Sequence, residues 1–162
     1  MSASAALTIR GARRDEAGLV LSFIRALAAY QKLDVHADEA AIDRALFDDI
    51  PQMYCEIAEW EGKPAGFALW FVYFSTFIGS PGVYLEDLFV HPEYRGKGIG
   101  TALLAQLAKR CVERGWPHLQ WSVLDWNEPS IGFYKSLGAE LTETFIACRI
   151  NGDALTTLAQ RA

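Results

Sequence analysis

Arg95-Gly96-Lys97-Gly98-Ile99-Gly100 lies between an apolar run, Tyr84-Leu85-Glu86-Asp87-Leu88-Phe89-Val90, and a helix-like run over residues 101–114. Three glycines in five positions, on the path from a strand into a helix, leave several backbone amides uncovered at the positive end of the helix dipole. Such a loop is either a cradle for phosphate oxygens or a tight glycine-rich turn. Its spacing excludes two common phosphate sites. A Walker loop needs four residues between its first glycine and a closing Gly-Lys-Ser/Thr, whereas here Lys97 stands between glycines and Thr101 follows Gly100. A dinucleotide turn reads Gly-x-Gly-x-x-Gly with an acidic residue roughly 20 positions on, and the order here is Gly-x-Gly-x-Gly beside basic residues.

Upstream of this unit, Gly79-Ser80-Pro81-Gly82 is a turn, and residues 53–60 and 65–74, joined by Glu61-Gly62-Lys63, read as the two strands of a hairpin. Residues 7–10 read as a first strand. Leu19, Phe23, Ile24, Leu27 and Tyr30 then recur at helical spacing in the segment from Arg14, and residues 38–47 form a second helix on Ala41, Ile42, Ala45 and Leu46. Downstream, Gly115 and Pro117 close the helix that starts near Gly98. Residues 119–123 read as a strand, 128–137 as a short helix with Pro129 in its first turn and Gly138 at its end, and 141–150 as a last strand. That order predicts one domain over residues 1–162, built as a mixed sheet with helices on both faces, with ligand near the strand ends before the glycine loop and the Asn127 turn. There is no repeat, linker or low-complexity tract.

The chain has 162 residues, 51% of them hydrophobic and 22% charged, which is the balance of an ordinary globular protein with room for a core. A net charge of -5 argues against an extended basic surface, so no nucleic acid partner is expected, and a cationic or neutral ligand fits better. Cys55, Cys111 and Cys148 are scattered in apolar stretches and read as reduced core residues, which points to the cytoplasm. The longest apolar stretch, 64–74, is shorter than the roughly 20 residues that span a bilayer, and no signal peptide is evident, so no membrane association is expected. His36, His91 and His118 have no metal-ligand spacing and read as surface or loop residues; no metal is expected. Trp70, Phe71, Tyr73, Phe74 and Phe77 read as core, with some available for a subunit interface.

Asn127, Ser130 and Tyr134 fall at i, i+3 and i+7, one stripe about two turns long, while Ile131 and Leu137 mark the face expected to pack. By spacing alone Tyr134 is a half-buried aromatic with its hydroxyl in water, or part of a site. Glu86 and Asp87 stand side by side in an apolar strand, so their side chains are expected on opposite faces, either facing a ligand or satisfying loop amides.

Taken together these segments resemble the GNAT superfamily of N-acetyltransferases. Arg95-Gly96-Lys97-Gly98-Ile99-Gly100 is similar to its acetyl-CoA pyrophosphate loop, Arg/Gln-x-x-Gly-x-Gly/Ala. Leu85-Glu86-Asp87-Leu88-Phe89-Val90, Leu124-Asp125-Trp126-Asn127-Glu128-Pro129-Ser130, Phe133-Tyr134-Lys135, Leu27-Ala28-Ala29-Tyr30 and Gly66-Phe67-Ala68-Leu69-Trp70-Phe71 resemble the diamine (spermidine/spermine) and thialysine acetyltransferase branch. The resemblance implies an α/β fold of the α+β mixed kind, its twisted sheet mostly antiparallel and flanked by helices on both faces. It also implies acetyl-CoA as co-substrate, a small cationic amine as acceptor, and a homodimer.

The resemblance assigns roles residue by residue. Leu88, Phe89 and Val90 would lend backbone groups to the pantetheine arm, and Arg95, Gly96, Lys97, Gly98, Ile99, Gly100 and Thr101 would hold the pyrophosphate, tasks that suit exposed amides and a helix N-terminus. Asn127 and Ser130 match cofactor-contacting positions, and Tyr134 matches the residue that protonates the departing thiolate. A phenol of pKa about 10 can do so only within hydrogen-bond reach. The amine, protonated below about pH 10.4, must lose a proton before it attacks, and Glu86 would attract the cation and accept that proton directly or through water. Tyr30, Gln31, Glu86 and Asp87 would line the acceptor site. Gln31 stands where the polyamine enzymes carry an acidic residue, which removes a charge for a distant ammonium, and Glu143 is a loose match to another acceptor carboxylate. The expected function is N-acetyl transfer to a polyamine or a thialysine- or lysine-like amine by direct attack. The alternatives are a protein or other metabolite amine as acceptor, or a non-catalytic acyl-CoA-binding module.

Overall fold

The middle strands are buried on both sides: along one of them Cys55 and Ile57 alternate with Glu56 and Ala58, and all four are shielded from water. A strand buried on both faces must be covered twice, and the helices of this chain do so. The computed structural model describes residues 6–162; residues 1–5, the start of the expected single domain and of the segment read as carrying no signal peptide, lie outside the described residues.

Two compact units are formed, one through Ser122 and one over Val123–Ala162. In the first, the order is β1 (Leu7–Gly11), α1 (Ala17–Gln31), α2 (Glu39–Phe47), β2 (Tyr54–Trp60), β3 (Lys63–Ser75), β4 (Ser80–Val90), a 3₁₀ turn at Pro92–Tyr94, α3 (Ile99–Arg114) and β5 (Leu119–Trp121). The sheet runs β1-β2-β3-β4-β5. Its first three pairings are antiparallel and the last, β4 with β5, is parallel. This is the mixed sheet that the element order predicts, mostly antiparallel as the family resemblance implies.

On one face, Val20, Phe23 and Leu27 of α1 and Ile42 and Leu46 of α2 pack on Ile57, Phe67, Leu69 and Phe89. The Phe23 and Phe67 rings stack at 5.0 Å. On the opposite face α3 is tied to the sheet by an ion pair: Arg110 Nη2 of α3 donates to Glu56 Oε1 of β2 at 2.6 Å. Glu56 also accepts from Trp70 Nε1 at 3.3 Å, and the Arg110 guanidinium lies 5.4 Å from the centre of the Trp70 ring. A buried carboxylate is tolerable here because both donors are charged or aromatic N–H groups aimed at it.

Local chemistry sets the element ends. Asp38 caps α2 by accepting from Ala41 N–H at 2.8 Å. Gly115, at φ 65°, closes α3 as the glycine signal predicts. The first helix starts at Ala17 rather than near Arg14, because Glu16 folds back to accept from Arg13 N–H at 2.8 Å and pairs with Arg10 at 2.7 Å. The Arg10 hydrogen bond holds the Glu16 carboxyl below its usual range.

The second unit holds α4 (Glu128–Ser136) and α5 (Gly152–Ala159). The last strand expected over residues 141–150 does not form. Adjacent Phe145 and Ile146, 86% and 88% exposed, break the alternation, and without burial or a pairing strand nothing fixes a register. Helix α5 has no counterpart in the sequence reading, since Asn151-Gly152 looks like a turn and none of its residues is buried. Smaller expectations also fail: Phe74 and Phe77, read as core, are 60% and 100% exposed. Leu137, read as a packing residue, is exposed, and so is Cys148, unlike the buried Cys55 and Cys111.

Candidate active site

Strand β4 has two different edges. Along one it pairs with β3 over its whole length, whereas on the other β5 pairs only with Val83, Tyr84 and Leu85. Beyond Leu85 the second edge has no ladder partner among the described residues, so Leu88, Phe89 and Val90 sit on a strand whose second edge no other strand covers, the Val90 carbonyl accepting from Arg95 Nε at 3.0 Å. Such an edge accepts an extended ligand that carries amides of its own.

The strands part where the register breaks. Trp70 pairs with Leu85 and Leu69 with Asp87, so Glu86 is the extra residue of a β-bulge. Leu85 and Asp87 therefore lie opposite adjacent residues of β3, so side-chain alternation breaks once between Leu85 and Asp87. Glu86 is exposed while Asp87 is half-buried. Burial and the neighbouring Glu86 charge push the Asp87 carboxyl up to about 6 from its ordinary 3.8. Further along the same ladder, opposite Val90, Gly66 is required by close approach: a Cβ there would stand 2.7 Å from the Phe89 carbonyl oxygen.

The glycine loop leads from the 3₁₀ turn into α3. Gly96 and Gly98 have φ of 76° and 77°, a region that side-chain-bearing residues rarely adopt. Gly98 caps α3 without any side-chain hydrogen bond, so Ile99, Gly100 and Thr101 begin the helix with amides that no cap covers. A Cβ at Gly96 or Gly98 would meet nothing within 4 Å, so both glycines face open space on that side. Buried Ile99 anchors the helix start. Lys97 Nζ lies 4.9 Å from the Trp60 ring centre, and the Arg95 guanidinium lies 5.3 Å from that of Tyr30 and 5.6 Å from that of Phe89. A loop of main-chain donors flanked by two cations at a helix N-terminus fits a pyrophosphate.

Tyr30 and Gln31 close α1 and lead into a stretch of irregular chain before α2. Tyr30 is 37% exposed and Gln31 half-buried. The bulge, the open edge, the glycine loop and Tyr30 all belong to the first unit.

In the second unit Asn127 is buried and its Oδ1 accepts from Ser130 N–H at 3.4 Å, which makes it the cap of α4. Tyr134 lies two turns along, half-buried, its ring 5.4 Å from that of Phe133. Burial pushes its phenol up, so it stays protonated through neutral pH.

Several features were not foreseen from sequence. The bulge at Glu86 depends on how β3 is registered and leaves no mark in β4 itself. Trp60 beneath Lys97 belongs to a strand far away in the chain. His91 packs against Phe23 at 5.0 Å and Phe89 at 5.4 Å, although its position after β4 reads only as a loop. Among the described residues no cluster of His, Cys, Asp or Glu is grouped to hold a metal ion.

Comparison with known proteins gives consistent results. The acetyltransferase (GNAT) family matches residues 21–139. The thialysine N-epsilon-acetyltransferase of Mus musculus is 36% identical over 170 residues, covering 97% of this chain and 99% of that protein. The L-ornithine N5-acetyltransferase of Arabidopsis thaliana is 40% identical over 94 residues, covering 58% of this chain and 41% of that protein. Among solved structures, an integron cassette protein from V. cholerae superposes with a TM-score of 0.79 at 30% identity, covering 96% of this chain and 98% of that one. An aminoglycoside N-acetyltransferase in complex with CoA shares the fold, with a TM-score of 0.73 at 22% identity and coverage of 94% and 100%.

Proposed function

Because this chain belongs to the acetyltransferase (GNAT) family, we propose that it moves the acetyl group of acetyl-CoA onto a primary amine of a small cationic molecule, a polyamine or a thialysine- or lysine-like amine. The observation that carries this reading is the 36% identity to a thialysine N-epsilon-acetyltransferase over 97% of the chain. The ornithine acetyltransferase adds a second acceptor of the same chemistry, a primary amine on an amino acid side chain.

Acetyl-CoA supplies an activated thioester; the residues of this chain bind it and manage two protons. The amides of residues 95–101 and the cations Arg95 and Lys97 hold the pyrophosphate, and the open edge at Leu88, Phe89 and Val90 takes the amide-bearing arm. Asn127 and Ser130 contact the cofactor near its reactive end. Glu86 and Asp87 draw the ammonium in and Glu86 accepts its proton, directly or through water. The exposure of Glu86 at the bulge supports a group that meets incoming substrate. The neutral amine forms the C–N bond as the C–S bond breaks, and Tyr134 gives its proton to the leaving thiolate. The upward push on the Tyr134 phenol supports a group held protonated for that step. Tyr30 and Gln31 border the amine, and Gln31 favours an acceptor with one cationic end over a long polyamine.

On this reading residues 1–162 act as one catalytic domain, in a cytoplasmic homodimer that needs neither metal, nucleic acid nor membrane. The three free cysteines support a reducing compartment, and the net charge of -5 favours a cationic acceptor. No helix among the described residues is long and apolar enough to cross a membrane. Exposed Phe74, Phe77 and Ile78 around the β3–β4 turn support an apolar contact between subunits.

Thiol release from acetyl-CoA with thialysine, lysine, ornithine, spermidine and putrescine, at pH 7 and pH 9, tests the proposal. Turnover with the amino acids above the polyamines is expected. CoA binding with no turnover on any of them would point to a protein amine or to a non-catalytic binding module.

A further inference from the structure

The side chain that opens the glycine loop is clasped from three directions. Arg95 Nε donates to the Val90 carbonyl at 3.0 Å, where β4 ends, and its guanidinium lies over the rings of Tyr30, in the last turn of α1, and Phe89, in β4. Tyr30 is assigned to the acceptor side, yet here its ring touches the cofactor loop. The loop needs such a tether: its two left-handed glycines carry no side chains and a Cβ on either would meet nothing within 4 Å, while Lys97 between them lies over Trp60 and Ile99 beyond them is buried. A glycine-rich segment has more conformational freedom to lose than any other when it closes on a ligand. Holding one end in place beforehand reduces that loss and raises affinity.

We propose that Tyr30 is a positioning residue for the cofactor: by stacking on Arg95 it holds the phosphate cradle in its binding shape, so the acceptor-side helix sets the affinity for CoA. By linkage, an acceptor that shifts Tyr30 changes CoA affinity, and CoA changes acceptor affinity by the same factor. The inference rests on the reading of residues 95–101 as the CoA cradle.

Calorimetric titration of CoA, with no amine present, tests it on the whole chain. Tyr30→Phe keeps the ring and binds within about 2-fold of the parent, while Tyr30→Ala weakens binding about 2- to 5-fold, the range for an exposed cation–π contact. Arg95→Met removes the cation, and in that background Tyr30→Ala causes no further loss. If alanine unfolds the protein, as judged by circular dichroism, Tyr30→Leu, which keeps apolar bulk without the ring, is expected to show the same loss. Parent-like affinity in the ring-less variant, or an equal loss with and without Arg95, overturns the inference while leaving the cradle reading intact. No CoA binding by the parent protein overturns the cradle reading itself.

Discussion

Replacing Asp87 by asparagine is expected to stabilise the protein at high pH and to leave it unchanged at low pH. Asp87 titrates at about 6, against an ordinary 3.8, because burial opposes its charge and Glu86 repels it. A displacement of about two pH units corresponds to about 3 kcal/mol. The folded protein holds the proton more tightly than the unfolded chain does. The contribution is therefore fully present below about pH 4 and is lost as pH rises to about 6, leaving an ionised, half-buried carboxylate above that point. The amide of the Asp87→Asn variant carries no charge at any pH and fills nearly the same volume. Urea unfolding of both proteins at pH 4 and pH 8 reads the difference directly, because groups common to both cancel. The variant is expected to match the parent at pH 4 and to exceed it by about 2–3 kcal/mol at pH 8. Equal differences at the two pH values, or a parent more stable than the variant at pH 8, would refute the account of the bulge as a place where a carboxylate is held against its charge.

Other perturbations separate chemistry from scaffold. Tyr134→Phe is expected to lower kcat on the order of 100-fold with CoA affinity nearly unchanged, and unaltered turnover would remove Tyr134 from the acid role. Glu86→Gln is expected to raise KM for the amine and move the pH optimum upward; a superimposable pH profile would count against Glu86. Glu56→Ala leaves Arg110 and the Trp70 indole facing each other without their shared acceptor, and denaturant melts are expected to show a loss of about 3 kcal/mol. Gly98→Ala forces a side chain into a left-handed conformation without any clash, so a stability loss of about 1–2 kcal/mol together with weaker CoA binding is expected in melts and titrations.

Where one segment alone dictates the outcome, the sequence was readable. The spacing of Leu19, Phe23 and Leu27, the second helix near residues 38–47 and the Gly115 stop all reappear in the structure, because each is a local choice of backbone. The glycine loop was legible for the same reason, since φ near 77° at Gly98 is a property of that residue and its neighbours. What depends on a partner strand was not. The bulge at Glu86 exists only because Trp70 and Leu69 take up Leu85 and Asp87 in turn. The apolar and β-branched residues over 141–150 resemble a strand, yet extended chain becomes sheet only when another edge receives it. The Arg95 clasp joins residues far apart in sequence, and neither Tyr30 nor Phe89 announces a cationic neighbour.

Because β5 leaves β4 after Leu85, the groups presented along residues 86–90 are peptide N–H and C=O, which nearly any amino acid supplies. Point mutation at Leu88 or Val90 can change packing but cannot delete those groups unless it introduces proline. In the proposed site, recognition written in the main chain is thus shielded from drift, whereas recognition written in side chains, as proposed for Gln31 and Glu86, is open to it. On that proposal, a lineage built on this strand exchanges one acceptor for another by single substitutions while inheriting its donor unchanged.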